Sequence, residues 1–199
     1  ALKLVGESYP FGPGSHYLLP FDNHNSVNGI REFAHARGAQ VTYIPVALPD
    51  MRVDTESLEA SLDLALGGER GQAGRNNLFA YPAQSNFSSV LHPLDWIERA
   101  HAKGWDVLLD AAAFAPTSRL DLSKYKADFV PLSFYKIFGY PPGIGALLAR
   151  RETLNKLCRP WFAGGTITVA LVQGDKYYLA EAPAALEDGT LDYLNIPAV

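Results

Sequence analysis

At 199 residues, 48% apolar and 19% charged, the chain has enough apolar material for one globular domain with a substantial core, and neither a disordered nor a collagen-like composition fits. Lys and Arg number 17 against 21 Asp and Glu, a net charge of −4, and no basic block stands out, which argues against a nucleic-acid or anionic-membrane surface. The one cysteine, Cys158, excludes an internal disulfide and a Cys-rich zinc site, so no metal site is expected and a reducing, cytoplasmic setting is.

The chain opens without a Met, in what reads as an apolar helical segment from Ala1 to Glu7, and is therefore expected to be a fragment. No apolar run approaches the ~20 residues that a membrane-spanning helix needs, and the first residues, Ala1 to Glu7, lack a basic n-region with an apolar h-region behind it. Tyr17 to Phe21 is a short apolar strand. Ser26 is the expected N-cap of a helix through Ile30, Phe33 and Ala34 that ends near Arg37-Gly38. Val41 to Val46 is rich in β-branched and aromatic residues and reads as a strand. Ser57 to Leu66 then places Leu58, Leu62 and Leu66 on one helical face, with Gly67-Gly68 as the stop.

The polar stretch from Gly67 to Asn77 is a surface loop rather than a domain linker. Beyond it the alternation resumes. Leu78 to Tyr81, Trp105 to Leu109, Phe129 to Phe134 and Ala146 to Ala149 read as strands, while Pro93 to Lys103 and Glu152 to Leu157 read as helices. Strands separated by helical stretches of about ten residues predict an α/β fold with a mostly parallel central sheet flanked by helices. In such sheets ligands bind at the carboxyl ends of the strands.

Three of those ends carry polar groups: Asn86, Asp110 and Lys136. An Asp after an apolar strand reads equally as the cap of a turn. Lys136, set between Tyr135 and Ile137-Phe138 ahead of an irregular Gly- and Pro-rich run, suits Schiff-base chemistry, although a snorkelling lysine beside a turn is the simpler alternative. Together they suggest pyridoxal phosphate, which needs a lysine for its aldehyde and a carboxylate for its pyridine nitrogen. They are 26 residues apart, which leaves room for one crossover between adjacent parallel strands.

At these residues the chain resembles the class V aminotransferase family of fold-type I pyridoxal-phosphate enzymes, and within it the cysteine-desulfurase-like domain of molybdenum cofactor sulfurases. The stretches that carry the resemblance are Asp22-Asn-His-Asn-Ser-Val27, Tyr81-Pro-Ala-Gln-Ser-Asn-Phe-Ser88, Leu108-Leu-Asp-Ala-Ala-Ala113 and Asp128-Phe-Val-Pro-Leu-Ser-Phe-Tyr-Lys-Ile-Phe-Gly139. Phe162-Ala-Gly-Gly-Thr166 and Leu186-Glu-Asp-Gly-Thr190 fit the sulfurase pattern too, so it covers nearly the whole chain.

The resemblance implies that Lys136 is the catalytic lysine that holds the cofactor's aldehyde and that Asp110 partners the pyridine nitrogen. It implies that His24 stacks on the ring, Asn86 lies near the phenolic oxygen and Ser133 bonds the phosphate. Thr166, in Gly164-Gly165-Thr166, would reach a phosphate in the neighbouring subunit of a homodimer. Simpler readings stand beside each: a helix-capping histidine, an Asn in a turn, a strand Ser satisfied by backbone and a flexible Gly-Gly turn. Two positions depart from the desulfurase pattern, with Ala113 where a Gln is common and Tyr135 where a His is common.

The implied activity is transfer of sulfur from L-cysteine, through a persulfide-forming cysteine, to the molybdenum cofactor; other class V reactions (desulfurase, lyase or transaminase) and a non-catalytic fragment are the alternatives. The implied domain organisation is a partial large domain over 1–199, without the small domain or the C-terminal cofactor-binding domain. The family's phosphate loop would precede Ala1, and its substrate-carboxylate Arg and persulfide Cys would follow Val199. Cys158 does not replace the latter. The spacing of Leu154, Leu157 and Cys158 reads as a half-buried, inert helical position, although Lys156 and Arg159 flank it.

Overall fold

A computed structural model describes residues 1–64, 76–140 and 142–199. The expected helix end at Leu66 with its Gly67-Gly68 stop, most of the loop before Asn77, and Pro141 lie outside the described residues.

In chain order the elements are α1 (Leu2–Ser8), β1 (His16–Pro20), α2 (Asn25–Asn28), α3 (Ile30–Ala36), β2 (Gln40–Ile44), β3 (Val46–Ala47), β4 (Arg52–Val53), α4 (Thr55–Asp63), β5 (Leu78–Pro82), α5 (Trp96–Ala102), β6 (Asp106–Asp110), β7 (Phe129–Ser133), α6 (Phe134–Phe138), β8 (Gly145–Ala149), α7 (Arg151–Leu154), β9 (Ile167–Ala170) and β10 (Tyr177–Leu179). Six strands form the central sheet in the order β2-β1-β5-β6-β7-β8. All neighbours are parallel except β7 and β8, which run antiparallel. The predicted α/β class with a mostly parallel sheet is the one observed.

The strands read as continuous apolar runs because the sheet is covered on both faces and successive side chains point to opposite sides. Leu18, Phe79, Tyr81, Val107 and Leu109 pack on one face with Leu58 and Leu62 of α4 and Trp96 and Ile97 of α5. Tyr17, Leu19, Leu78, Ala80 and Leu108 pack on the other with Val5 of α1 and Ile30 and Ala34 of α3. Each large apolar side chain so buried contributes about 1.5–3 kcal/mol. Trp105, 2% exposed, is tied in as well, its indole N–H donating to Leu62 O at 2.9 Å.

Several expectations need correction. The helix after β1 is two short helices divided at Gly29, and its N-cap is His24 rather than Ser26: the imidazole Nδ1 accepts the Ser26 N–H at 3.2 Å. Asp54, accepting the Ser57 N–H at 2.8 Å, starts α4 two residues earlier than expected. The helix before β6 begins at Trp96, not Pro93. Cys158 is exposed and lies beyond α7, which ends at Leu154, so the half-buried helical position is not found.

Strand order places the site. The chain leaves β1 toward β2 on one side and later returns through β5 on the other, so the carboxyl ends of β1 and β5 diverge at a switch point, where side chains can line a crevice. The crossover from β6 to β7 contains turns and no helix. At the far edge a Cβ on Gly145 would stand 2.5 Å from Leu132 O, so β8 can lie against β7 there only with a glycine.

Candidate active site

The carboxyl ends of the central strands open into a cleft of about 920 Å³, within the size range of cofactor pockets. His24, Asn86, Asp110, Ser133 and Lys136, reached from four different strand ends, all line it. Two walls come from distant chain: Ala1 to Leu4 at one end of the sequence, and Pro183, Leu186, Glu187 and Leu191 at the other. The sequence reading gave those segments no role.

Asp110 is the last residue of β6 and only 8% exposed, because it ends a strand buried on both faces. Its Oδ1 accepts the Ala112 N–H at 3.0 Å. Burial pushes the carboxyl above its ordinary value; the Ala112 N–H, Lys136 and His24 each pull it back without overcoming the burial. This is a carboxylate that a cation in the cleft would stabilise.

Lys136 stands in the first turn of α6, directly after β7. Its Nζ donates to Asn86 Oδ1 at 3.0 Å, which joins the end of β7 to the loop after β5. Gly139, at φ +78°, ends α6 with the left-handed residue that a Cβ would strain. Tyr135 and Phe138 are 46% and 58% exposed, so they do not enclose the ammonium as the sequence suggested.

The remaining expected residues divide. His24 lines the cleft and also caps α2, its Nδ1 lying 2.7 Å from Ser26 Oγ, so the capping alternative is realised in a residue that faces the cleft. Ser133 is half-buried in the cleft and makes no side-chain cap to α6. Thr166 does not line the cleft. It is fully buried, and its hydroxyl is used within its own turn, donating to Ala163 O at 2.8 Å and accepting the Ala163 N–H at 2.9 Å. Ala113 and Tyr135, the two departures from the desulfurase pattern, both line the cleft, whereas Cys158 does not.

Whether these residues fit pyridoxal phosphate follows from the donor set: a buried carboxylate held above its ordinary value and a primary amine share one cleft of adequate size. They fit.

The profile described as Aminotransferase class-V matches residues 1–199. The chain belongs to the aminotransferase class-V family. Among curated class-V relatives it is similar to the molybdenum cofactor sulfurase of Bos taurus, 44% identical over 216 residues, covering all of this chain and 24% of that protein. The molybdenum cofactor sulfurase of Arabidopsis thaliana is 36% identical, again over all of this chain and 28% of that protein. This class-V chain thus spans about a quarter of the length of the curated relatives it matches. Among solved structures it resembles the apo cysteine desulfurase of Thermococcus onnurineus NA1, with a TM-score of 0.78 and 26% identity over 96% of this chain and 45% of that one. A cysteine desulfurase of Escherichia coli shares the fold, with a TM-score of 0.77 and 23% identity over 98% of this chain and 47% of that one.

One feature of this class-V site escaped the sequence reading. Asp22 and His92, 70 residues apart, form a buried pair between the loops after β1 and β5, with His92 Nε2 2.9 Å from Asp22 Oδ2. Asp22 stands in a stretch already singled out, but nothing local marks its partner. Among the described residues no cluster of three or more His, Cys, Asp or Glu could hold a metal ion, and no helix is long and apolar enough to cross a membrane.

Proposed function

We propose that the chain is the cofactor-binding, large-domain part of a pyridoxal-phosphate-dependent sulfurtransferase that takes sulfur from L-cysteine and delivers it to the molybdenum cofactor, acting as a homodimer in the cytoplasm. The observation that carries this reading is the placement of Asp110 and Lys136 on one cleft at the ends of neighbouring parallel strands, in a chain 44% identical to a molybdenum cofactor sulfurase. Pyridoxal phosphate, when bound, supplies an electron sink for the substrate's α-carbon.

The chain's own residues do the rest. Asp110, buried and with few competing donors, would hold a proton on the ring nitrogen of the bound group, where a fixed negative charge favours the protonated form. The Lys136 amine would hold its aldehyde and, when free, its Nζ could carry a proton to and from the substrate carbon. Asn86 orients Nζ in the unliganded cleft and would be the side chain placed for the phenolic oxygen. His24, fixed by its cap to α2, would be the side chain placed to stack on the ring. Ser133 holds phosphate within the subunit, and Thr166 would do so across the dimer only by giving up its bonds to Ala163. Overall, L-cysteine and an acceptor thiol become alanine and a persulfide. Cys158 is not that acceptor in this reading, because it lies off the cleft.

The test is an absorbance spectrum with added pyridoxal phosphate, run beside Lys136→Ala, followed by borohydride reduction. A yellow band lost in Lys136→Ala, with the trapped label on Lys136, is the expected result for this chain, and alanine formed from L-cysteine is expected of the full-length protein that carries the acceptor thiol. A wild-type chain with no band, or a label on another lysine, overturns the assignment. A chain that forms alanine but transfers no sulfur to the molybdenum cofactor is a cysteine desulfurase instead.

A further inference from the structure

Between the loops after β1 and β5 lies a polar network that the proposed chemistry leaves unused. Asp22 follows β1 and His92 closes the loop that follows β5; their side chains are 0% and 2% exposed. A carboxylate taken wholly out of water is retained at a cost that an apolar contact would avoid, and here Asp22 Oδ1 has no hydrogen-bond partner. What the pair does is therefore to be sought in what it holds.

It holds the two loops that meet at the switch point. Ser85 Oγ donates to Asp22 O at 2.9 Å and accepts the N–H groups of Phe87 and Ser88 at 3.2 and 3.1 Å, while Ser88 Oγ donates to Asp22 Oδ2 at 3.4 Å. The base of the loop is closed by Ser85 N–H to Val90 O at 2.9 Å and His92 N–H to Ala83 O at 3.0 Å. Asn86 is thus bracketed on both sides by residues tied to Asp22, and Asn86 Oδ1 is the acceptor for Lys136 Nζ at 3.0 Å. Asp22 also stands two residues before His24.

We propose that Asp22 and His92 are positioning residues: through Ser85 and Ser88 they fix the Asn86 carboxamide, and so set where the Lys136 amine stands. The use made of that amine rests on the cofactor reading above, but the positioning itself does not.

The test reads Lys136 without cofactor. Reductive methylation by formaldehyde and cyanoborohydride is followed at each lysine by peptide mass spectrometry, with Lys126 as internal reference. Asn86→Ala and Asp22→Ala are each expected to change the Lys136 rate in the same direction by about threefold to tenfold, the equivalent of one net hydrogen bond. The double variant should go no further. His92→Gln, which keeps a side-chain N–H for Asp22, should retain the wild-type rate, and His92→Leu should match Asp22→Ala. A wild-type rate in Asp22→Ala or Asn86→Ala, or effects that add in the double variant, overturns the proposal. Should Asp22→Ala fail to fold, Ser85→Ala cuts the same link while leaving the pair intact; it must reproduce the Asn86→Ala rate, and a wild-type rate there overturns the proposal as well. Adding pyridoxal phosphate separates the two readings: this pattern of rates with no absorbance band refutes the cofactor and keeps the positioning, and a band without the pattern does the reverse.

Discussion

Replacing Asp110 by Asn should stabilise the cofactor-free fold while damaging the activity. The carboxyl is 8% exposed, and the oxygen that accepts the Ala112 N–H at 3.0 Å has a counterpart in Asn, so the substitution removes a charge and little packing. Because burial raises the folded carboxyl above its ordinary 3.8, its favourable contribution is complete below 3.8 and is lost as pH rises through the elevated folded value. Relieving that loss at neutral pH is worth about 1–2 kcal/mol. For a domain of this size that is a rise of roughly 2–8 °C in the unfolding midpoint. Thermal unfolding of both proteins without cofactor, followed by circular dichroism from about pH 4 to about pH 8, should show midpoints that coincide in acid and separate as pH rises. Sulfur transfer by the variant should fall by about 10²–10³-fold. A variant less stable than wild type at neutral pH, or a gap constant across pH, would refute the reasoning.

Asp128, 3% exposed, accepts from His101 Nε2 at 2.7 Å, Thr153 Oγ1 at 2.6 Å and Val107 N–H at 2.8 Å, so Asp128→Ala should cost about 3–5 kcal/mol in urea unfolding. Burial pushes this carboxyl up, but those donors outweigh it and hold it below 3.8; its contribution is present above 3.8 and fades as pH falls through the lowered value, a loss the variant should lack. Gly145→Ala puts a Cβ 2.5 Å from Leu132 O and should cost about 1–3 kcal/mol by thermal unfolding, while also lowering the yield of borohydride-trapped label on Lys136. Cys158→Ser should change stability by less than about 0.5 kcal/mol and leave the borohydride-trapped label on Lys136 intact, since the thiol is exposed and outside the cleft.

Much of the fold was legible because the sheet is covered on both faces. Leu78 to Tyr81 and Val107 to Leu109 are apolar without interruption, which marks buried parallel strands, and Asp110 and Lys136 stand out as the polar residues where such runs end. The groups that escaped are fixed by distant contacts. Nothing near His92 announces Asp22, and nothing in Leu186 to Leu191 announces that it walls the cleft against Ala1 to Leu4. Local chemistry also misled over the cap: Ser26 is the commoner N-cap type, yet His24 Nδ1 accepts the Ser26 N–H and so starts the helix two residues earlier. Cys158 followed a helical spacing that the chain abandons at Leu154.

The walls of the cleft have a consequence for folding. Residues 1–4 and Pro183, Leu186, Glu187 and Leu191 line the same space, together with the strand ends between them. A molecule that fills it would touch both segments at once. By mass action such a ligand stabilises the assembled chain by about 2.7 kcal/mol at a hundredfold excess over its dissociation constant. Proteolysis of those segments should therefore slow when a ligand that fills the cleft is added.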